Sequence, residues 1–279
     1  MLNKIVDCNY GVLALSSDPY IFMNNISKSQ ENGILIKTKN LLRSDALIKY
    51  NTVEKNLEYG IVLEGAENYT RVEKNHHINA NRKAGIRISE QANVKVLNNR
   101  IFGNYGQGIL VQESAAAYIE KNEIFQNYKA NLAFGGNNSG DTVVLNNLIY
   151  KSRSEGIFVI EGGFSWIKHN DIFDNADGIL LFDSCPHISN NQIHENQRSG
   201  IICSGSSYPL IEQNQIFGNN QTGISIRDNS QIGCKENKMF ANNYQLSVGS
   251  MSAKDQKRLM KRNAIEGLNE FYNNTCYLF

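Results

Sequence analysis

Apolar residues in this chain come in short alternating runs, and the runs repeat. One run is Gly-aliphatic-x-aliphatic, opening at Gly11, Gly33, Gly60, Gly85, Gly108, Gly156, Gly178, Gly200 and Gly223, with Asn131 and Gln245 in the equivalent places of two further units. The other is aliphatic-x-x-Asn-x-aliphatic, as in IFMNNI (21–26), IKYNTV (48–53), VLNNRI (96–101), IEKNEI (119–124), VLNNLI (144–149), IKHNDI (167–172), ISNNQI (188–193) and IEQNQI (211–216). VEKNHHI (72–78) is the same run with one residue inserted. The units step by 22 residues (Gly11 to Gly33) to 27 residues (Gly33 to Gly60). Period-two runs of three to five residues rich in Ile and Val are strands, too short and too β-branched for helices. Self-similarity sustained at such a period marks a solenoid. The pattern predicts an all-β fold: a single-stranded right-handed parallel β-helix of about ten coils, each of three short strands joined by corners. At ~4.8 Å per coil the rod would be ~45–50 Å long. The leucine-rich horseshoe, the structural alternative, lacks its L-x-x-L-x-L signature here.

Corners demand a residue that tolerates left-handed backbone, and Asn does so better than other non-Gly residues. Identical Asn amides one coil apart can also bond to each other along the stack. Asn24, Asn51, Asn75, Asn99, Asn122, Asn147, Asn170, Asn191, Asn214 and Asn237 are therefore expected to form one column. A second column, Phe102, Phe125, Tyr150, Phe173, Phe217 and Phe240, reads as aromatic packing that sets coil registration, with a sugar or base platform as the alternative. The β-helix is expected over 1–250, followed over 251–279 by a short C-terminal capping helix and tail. Ser252 with Asp255 suits a capping box, and Met260, Ala264, Leu268 and Phe271 or Tyr272 make a helical stripe.

In Gly-I-x-I the aliphatics point inward and the residue between them outward. The outward set is Ala14, Leu35, Val62, Arg87, Leu110, Ala133, Phe158, Leu180, Ile202 and Ser225, mostly apolar where solvent would favour polar groups. A contiguous apolar stripe usually marks an interaction site. A protein partner is therefore expected on Leu35, Val62, Arg87, Leu110, Phe158, Leu180 and Ile202, helped by Leu41, Leu42 and Arg43 in the long segment 37–47. The other accounts of the stripe are cover by the chain's own loops and β-propensity alone. The long segment 135–143 should project from the same side, since insertions in a solenoid gather on one face.

An acidic column, Glu90, Glu113, Glu161, Asp183 and Asp228, follows the same strands. Two carboxylates are what a glycosidase needs, but acids in one column are always about one strand spacing apart, so their separation says nothing. The N-T-D, Asp-Asp, G-H-G and R-x-K motifs of polygalacturonases are missing. No enzyme, cofactor or metal site is expected on this basis, and a calcium ion would need six or more oxygens. Asp171, Asp174 and Asp177 read as turn residues, the five His share no repeat position, and Cys203 and Cys234 stand where other units have Ile or Val.

Net charge is +1, so no global field draws nucleic acid or an anionic membrane. No run reaches the ~18 apolar residues of a membrane span. A cytoplasmic protein follows as the expectation. The G-I-x-I and I-x-x-N-x-I repeats resemble the parallel β-helix repeats of pectin-lyase-like enzymes. With NAIEGLNEFYNNTCYLF (263–279) they resemble, more closely, the substrate-binding β-helix of F-box-only ubiquitin-ligase adaptors and their Shc-binding spindle relatives. That resemblance implies protein recognition rather than chemistry. The expected function is a non-catalytic interaction scaffold in a cytoskeletal or ciliary assembly. It would dock through the apolar stripe and the uncapped first coil, with an acidic partner on Lys254, Lys257, Arg258, Lys261 and Arg262. The rivals are a carbohydrate-active lyase or hydrolase using the acidic column and the recognition part of a ubiquitin-ligase adaptor.

Overall fold

A computed structural model describes residues 3–40, 42–136, 141–162, 165–249, 264–265 and 270–272. The chain winds as a right-handed parallel β-helix in which every strand pairs with the strand one coil later. Among the described residues the first sheet has 12 strands, from Asn3–Val6 to Glu270–Tyr272. The second has 11, from Val12–Leu15 to Tyr244–Val248, and the third has 11, from Tyr20–Phe22 to Ala264–Ile265. The last two strands replace part of the expected capping helix. Ala264–Ile265 pairs with Gly233–Lys235 and Glu270–Tyr272 with Lys238–Phe240, so the chain covers an open sheet edge with strands. Ser252, Lys254, Asp255, Lys257, Arg258, Met260, Lys261, Arg262 and Leu268 lie outside the described residues.

Alternation fills the interior. Ile26, Val53, Ile78, Ile101, Ile124, Ile149, Ile172, Ile193 and Ile216 stack inside the first sheet with no solvent exposure, each burial stabilising the rod by ~1.5–3 kcal/mol. Cys203 and Cys234 sit in the same core, where burial pushes the Cys203 thiol far up and the Cys234 thiol up to about 12.

At the corner between the third and first sheets the left-handed residue is not the Asn. It is the residue before it: Met23, Tyr50, Lys74, Asn98, Lys121, Asn146, His169, Asn190, Gln213 and Glu236 all have positive φ. The Asn turns inward instead and serves the backbone. Asn122 Oδ1 accepts from Asn99 N at 2.8 Å and from Asn99 Nδ2 at 3.1 Å. Asn122 Nδ2 donates to Asn147 Oδ1 at 3.0 Å, to Val96 O at 2.8 Å and to Glu120 O at 3.1 Å. Asn is selected because one short amide bonds both its neighbour's backbone and its neighbour's side chain.

A second buried amide column stands five residues further on, six in the coil with the insertion, at the corner between the first and second sheets: Asn56, Asn81, Asn104, Asn127, Asn175, Asn196, Asn219 and Asn242. Ser152 interrupts it, being too short to reach. The gap is bridged by Asn131, the residue that stands where other coils have Gly: its Oδ1 accepts from Asn127 Nδ2 at 2.9 Å and its Nδ2 donates to Asn175 Oδ1 at 3.2 Å. Elsewhere Gly is required because the next coil's backbone runs close: a Cβ on Gly108 would lie 2.5 Å from Asn131 O and 2.6 Å from Ile124 Cγ2. Replacing Asn131 by Gly should lower stability by ~2 kcal/mol, about the cost of unpairing buried amides. Adding Ser152→Asn should recover most of it, by urea unfolding of the two variants.

Candidate functional site

The outer face of the second sheet gathers the ionisable residues of the lower coils. Its outward positions are set by register: Leu35, Val62, Arg87 and Leu110 align in one column, while Lys37, Glu64 and Ser89 align in the next. Glu64 is the centre. One of its oxygens takes Lys37 Nζ at 2.8 Å and the other takes Arg87 Nη1 at 2.8 Å. Lys37 also reaches Glu90 Oε1 at 3.1 Å, and Arg87 Nη2 reaches Glu113 Oε1 at 3.2 Å. Glu64 has only 11% of its side chain exposed, whereas Glu90 and Glu113 keep 45% and 49%. The Glu64 hydrogen bond is the main cause that raises the Lys37 pKa, so this ammonium stays charged. The Arg87 guanidinium lies 5.6 Å from the centre of the Tyr59 ring, and its buried Nε has no hydrogen-bond partner.

The arrangement is two cations around a buried carboxylate, flanked by two open carboxylates at corners with positive φ. Each cation is shared between Glu64 and one open carboxylate, so an anionic group would be held by displacing Glu90 or Glu113, and the displaced carboxylate can accept a proton. Higher on the same face the acids do something else. Asp183 Oδ1 accepts from Ser206 N at 2.7 Å and Asp228 Oδ2 from Gly205 N at 2.8 Å, so they cap corners of the next and preceding coils. Glu161 takes the same left-handed corner position and is exposed.

The expected apolar stripe is not a continuous exposed surface. Val62 is 1% and Ile202 4% exposed, because outward side chains one strand apart pack on their neighbours above and below. Leu35, Leu110, Phe158 and Leu180 are half-buried, and Arg87 belongs to the ion-pair cluster. In the first coil the outward residue is Leu13, not Ala14, which aligns with inward Ile36. Leu42 is exposed, Arg43 pairs with Asp45 at 2.5 Å, and Leu41 lies outside the described residues. Both long segments leave the second sheet for the third, on the side of the acidic column. The aromatic column faces outward on the first sheet. Phe125, Tyr150, Phe173, His194, Phe217 and Phe240 stack face to face at 4.7 to 5.1 Å. With their faces on each other, the rings offer solvent only edges, whereas a sugar platform needs an open face.

The pattern of the right handed beta helix region matches the chain over residues 2–147, 42–189 and 133–275. The chain belongs to this β-helix family. No curated protein matches its sequence. Among solved structures it is similar to the A-module of the Azotobacter vinelandii mannuronan C-5 epimerase AlgE4, with a TM-score of 0.56 and 13% identity over 99% of this chain and 80% of that one. The corresponding AlgE6 module gives 0.52 and 16% over the same shares. A mutant of the periplasmic alginate epimerase AlgG gives 0.54 and 13% over 97% of this chain and 79% of that one.

At such identities the likeness establishes the fold. It also corrects two expectations, that the chain is a non-catalytic interaction scaffold and that it is no enzyme. The absence of polygalacturonase motifs was the ground for excluding chemistry, and these three β-helices are named as mannuronan or alginate epimerases. A missing motif of one enzyme type does not exclude another on the same fold. The cytoskeletal and ciliary setting drawn from the scaffold expectation goes with it. Sequence inspection singled out Arg87, Glu90 and Glu113 but missed Lys37 and Glu64. Their signal was the outward position one step beyond Gly-I-x-I, in GILIK and GIVLE.

Proposed function

We propose that this β-helix is a carbohydrate-active enzyme that works on a uronate-bearing polysaccharide at the Lys37–Glu64–Arg87 cluster. The observation that carries it is the bracketing of one carboxylate by two cations beside open carboxylates, where the long 37–47 segment leaves the second sheet. The fold shared with three mannuronan or alginate epimerases supports the substrate class.

The chemistry follows from the uronate itself. Its C5 proton is adjacent to a carboxylate, and removing it builds a second negative charge on that group. Lys37 and Arg87 would stabilise the charge where it develops, which is where preorganised donors contribute most. Glu90 or Glu113 would take the proton as general base. Return of a proton from the other ring face inverts C5; departure of the C4 oxygen instead gives an unsaturated sugar by β-elimination. Above the cluster, half-buried Phe158, Ile160 and Leu180 and exposed Phe182 give an apolar floor for the C–H faces of neighbouring sugars.

The test is incubation of the purified chain with polymannuronate and polygalacturonate. Proton NMR would read inversion at C5, and ultraviolet absorbance would read the unsaturated product. Turnover of either polymer is expected, and it should fall with Glu64→Gln, which removes the charge that holds the two cations together. Absence of binding and turnover with both polymers would end this reading.

A further inference from the structure

The inserted residue in VEKNHHI opens a groove on another part of the rod. In regular coils the residue after the ladder Asn begins the strand of the first sheet: Thr52 after Asn51, Arg100 after Asn99, Glu123 after Asn122. After Asn75 there are two, His76 and His77. His76 takes the corner slot, donating from its backbone N to Asn51 O at 3.2 Å, and His77 becomes the residue paired with Thr52. Pairing with the next strand then starts only at Ile78 and Ile101, leaving Arg100 without a partner in that strand. An extra residue that displaces a strand in this way is how sheets re-aim side chains. The result is a groove of about 400 Å3 lined by Tyr50, Lys74, His76, Arg100, Lys121 and Glu123.

The groove is basic. It holds three cations, Lys74, Arg100 and Lys121, against one carboxylate, Glu123. That carboxylate is already satisfied, by Arg100 Nε at 2.8 Å and by the Tyr150 hydroxyl at 2.7 Å. Burial, then the Glu123 hydrogen bond, pushes Tyr150 up to about 12, so it remains a donor. Lys74 forms no ion pair among the described residues, and exposed Lys121 has one half-buried partner, Glu120, at 3.3 Å. Lys74 and Lys121 occupy the same left-handed corner position two coils apart, with Asn98 between them. Two coils along the axis is ~10 Å, so the ammonium groups form a pair of posts along the rod rather than a clamp on one small ion. His76 follows Lys74 in the same coil, its ring stacked on Tyr50 of the preceding coil at 5.8 Å and 27°.

We infer that this groove is a second saccharide site, which binds a polyanionic sugar chain laid along the solenoid axis, successive carboxylates meeting Lys74 and Lys121. It stands at the corner of the third and first sheets, apart from the second-sheet cluster, and performs no chemistry. Only the choice of uronate as the anionic sugar rests on the proposed function; binding of an anionic chain rests on the groove itself. A chain held there would be anchored while the cluster works on another stretch or another molecule.

The experiment is calorimetric titration with a uronate hexamer and with a neutral hexamer of the same length. The wild type should bind the uronate hexamer at two sites and the neutral one at neither or only weakly. Lys74→Ala with Lys121→Ala should weaken one site at least tenfold and leave turnover at the cluster unchanged. Deleting His76 restores the spacing of the neighbouring coils and should close the groove with the same loss. Because deletion could harm folding, the double Ala variant, which touches only exposed side chains, is the deciding one. Hexamer binding at a single site that neither variant alters, or equal binding of the neutral hexamer, would overturn the inference. Loss of turnover with the groove still binding would count against the proposed function alone.

Discussion

Asn122→Leu should remove ~5 kcal/mol of stability, although the two side chains share the same branched skeleton. The substitution leaves Asn99 N and Asn99 Nδ2 without the acceptor they share, and it takes the donor away from Asn147 Oδ1, Val96 O and Glu120 O. Some of these atoms keep a second partner: Asn99 Nδ2 still donates to Val72 O at 2.8 Å, and Asn147 Oδ1 still accepts from Asn122 N at 2.9 Å. The Asn99 N–H does not, and each buried polar group left unpaired costs ~1–3 kcal/mol. The site is fully enclosed, so no water can replace the amide cheaply. In a chain of this size the loss corresponds to a drop of roughly 10–20 °C in Tm. Urea and thermal unfolding would measure it. Hydrogen exchange should show the opening concentrated in the coils that adjoin Asn122, because a solenoid coil contacts mainly its neighbours. A loss below ~1 kcal/mol would mean that the column is ornamental and that the Ile stacks alone hold the rod.

Arg87→Met should reduce turnover of a uronan by roughly 100-fold or more, the usual consequence of removing a donor aimed at developing charge. Met keeps the aliphatic stem on the sheet face and deletes the guanidinium. Arg87 contacts both Glu64 and Glu113, so its loss frees Glu113, leaves Glu64 to Lys37 alone and turns the cluster more negative, repelling an anionic substrate as well. KM should therefore rise along with the fall in kcat. Arg87→Lys keeps the charge but cannot span Glu64 and Glu113 with separate nitrogens, and it should recover only part of the rate. The fold should tolerate both changes, since Arg87 faces outward and the core residues Ile86 and Ile88 are untouched. If Arg87→Met left kcat and KM as they were, the cluster would not be the site of the reaction.

The fold was legible because it is written many times over: nine Gly-aliphatic runs and the recurrent N-x-I mark the strands of the repeating coils, though not the two strands near the C-terminus. What Asn does at the corner was legible only in part. Its column could be read from spacing, but not that the left-handed residue is the one before it, because that position accepts Lys, Tyr, His, Asn and Gln alike. The second amide column was present as N-x-I-x-x-N, yet the first column drew attention away from it. The site was least legible. Charges scattered at Lys37, Glu64, Arg87, Glu90 and Glu113 become a cluster only when coils of 22 to 27 residues are laid on each other in register. One miscounted corner separates Glu64 from Lys37. The His76 insertion was visible as a spelling error in the repeat, but its outcome, a gap beside Arg100, needed the pairing of the strands.

Most coils of this rod complete their own corners with amides from equivalent positions, and such a coil could be copied or removed as a unit. Asn131 breaks that independence. Its amide leaves its own strand position to stand in for a side chain that Ser152 lacks, so two successive turns share one closing group. Duplicating or excising either turn by itself would strand a buried amide at the seam. At that point along the rod, the indivisible module is a pair of turns.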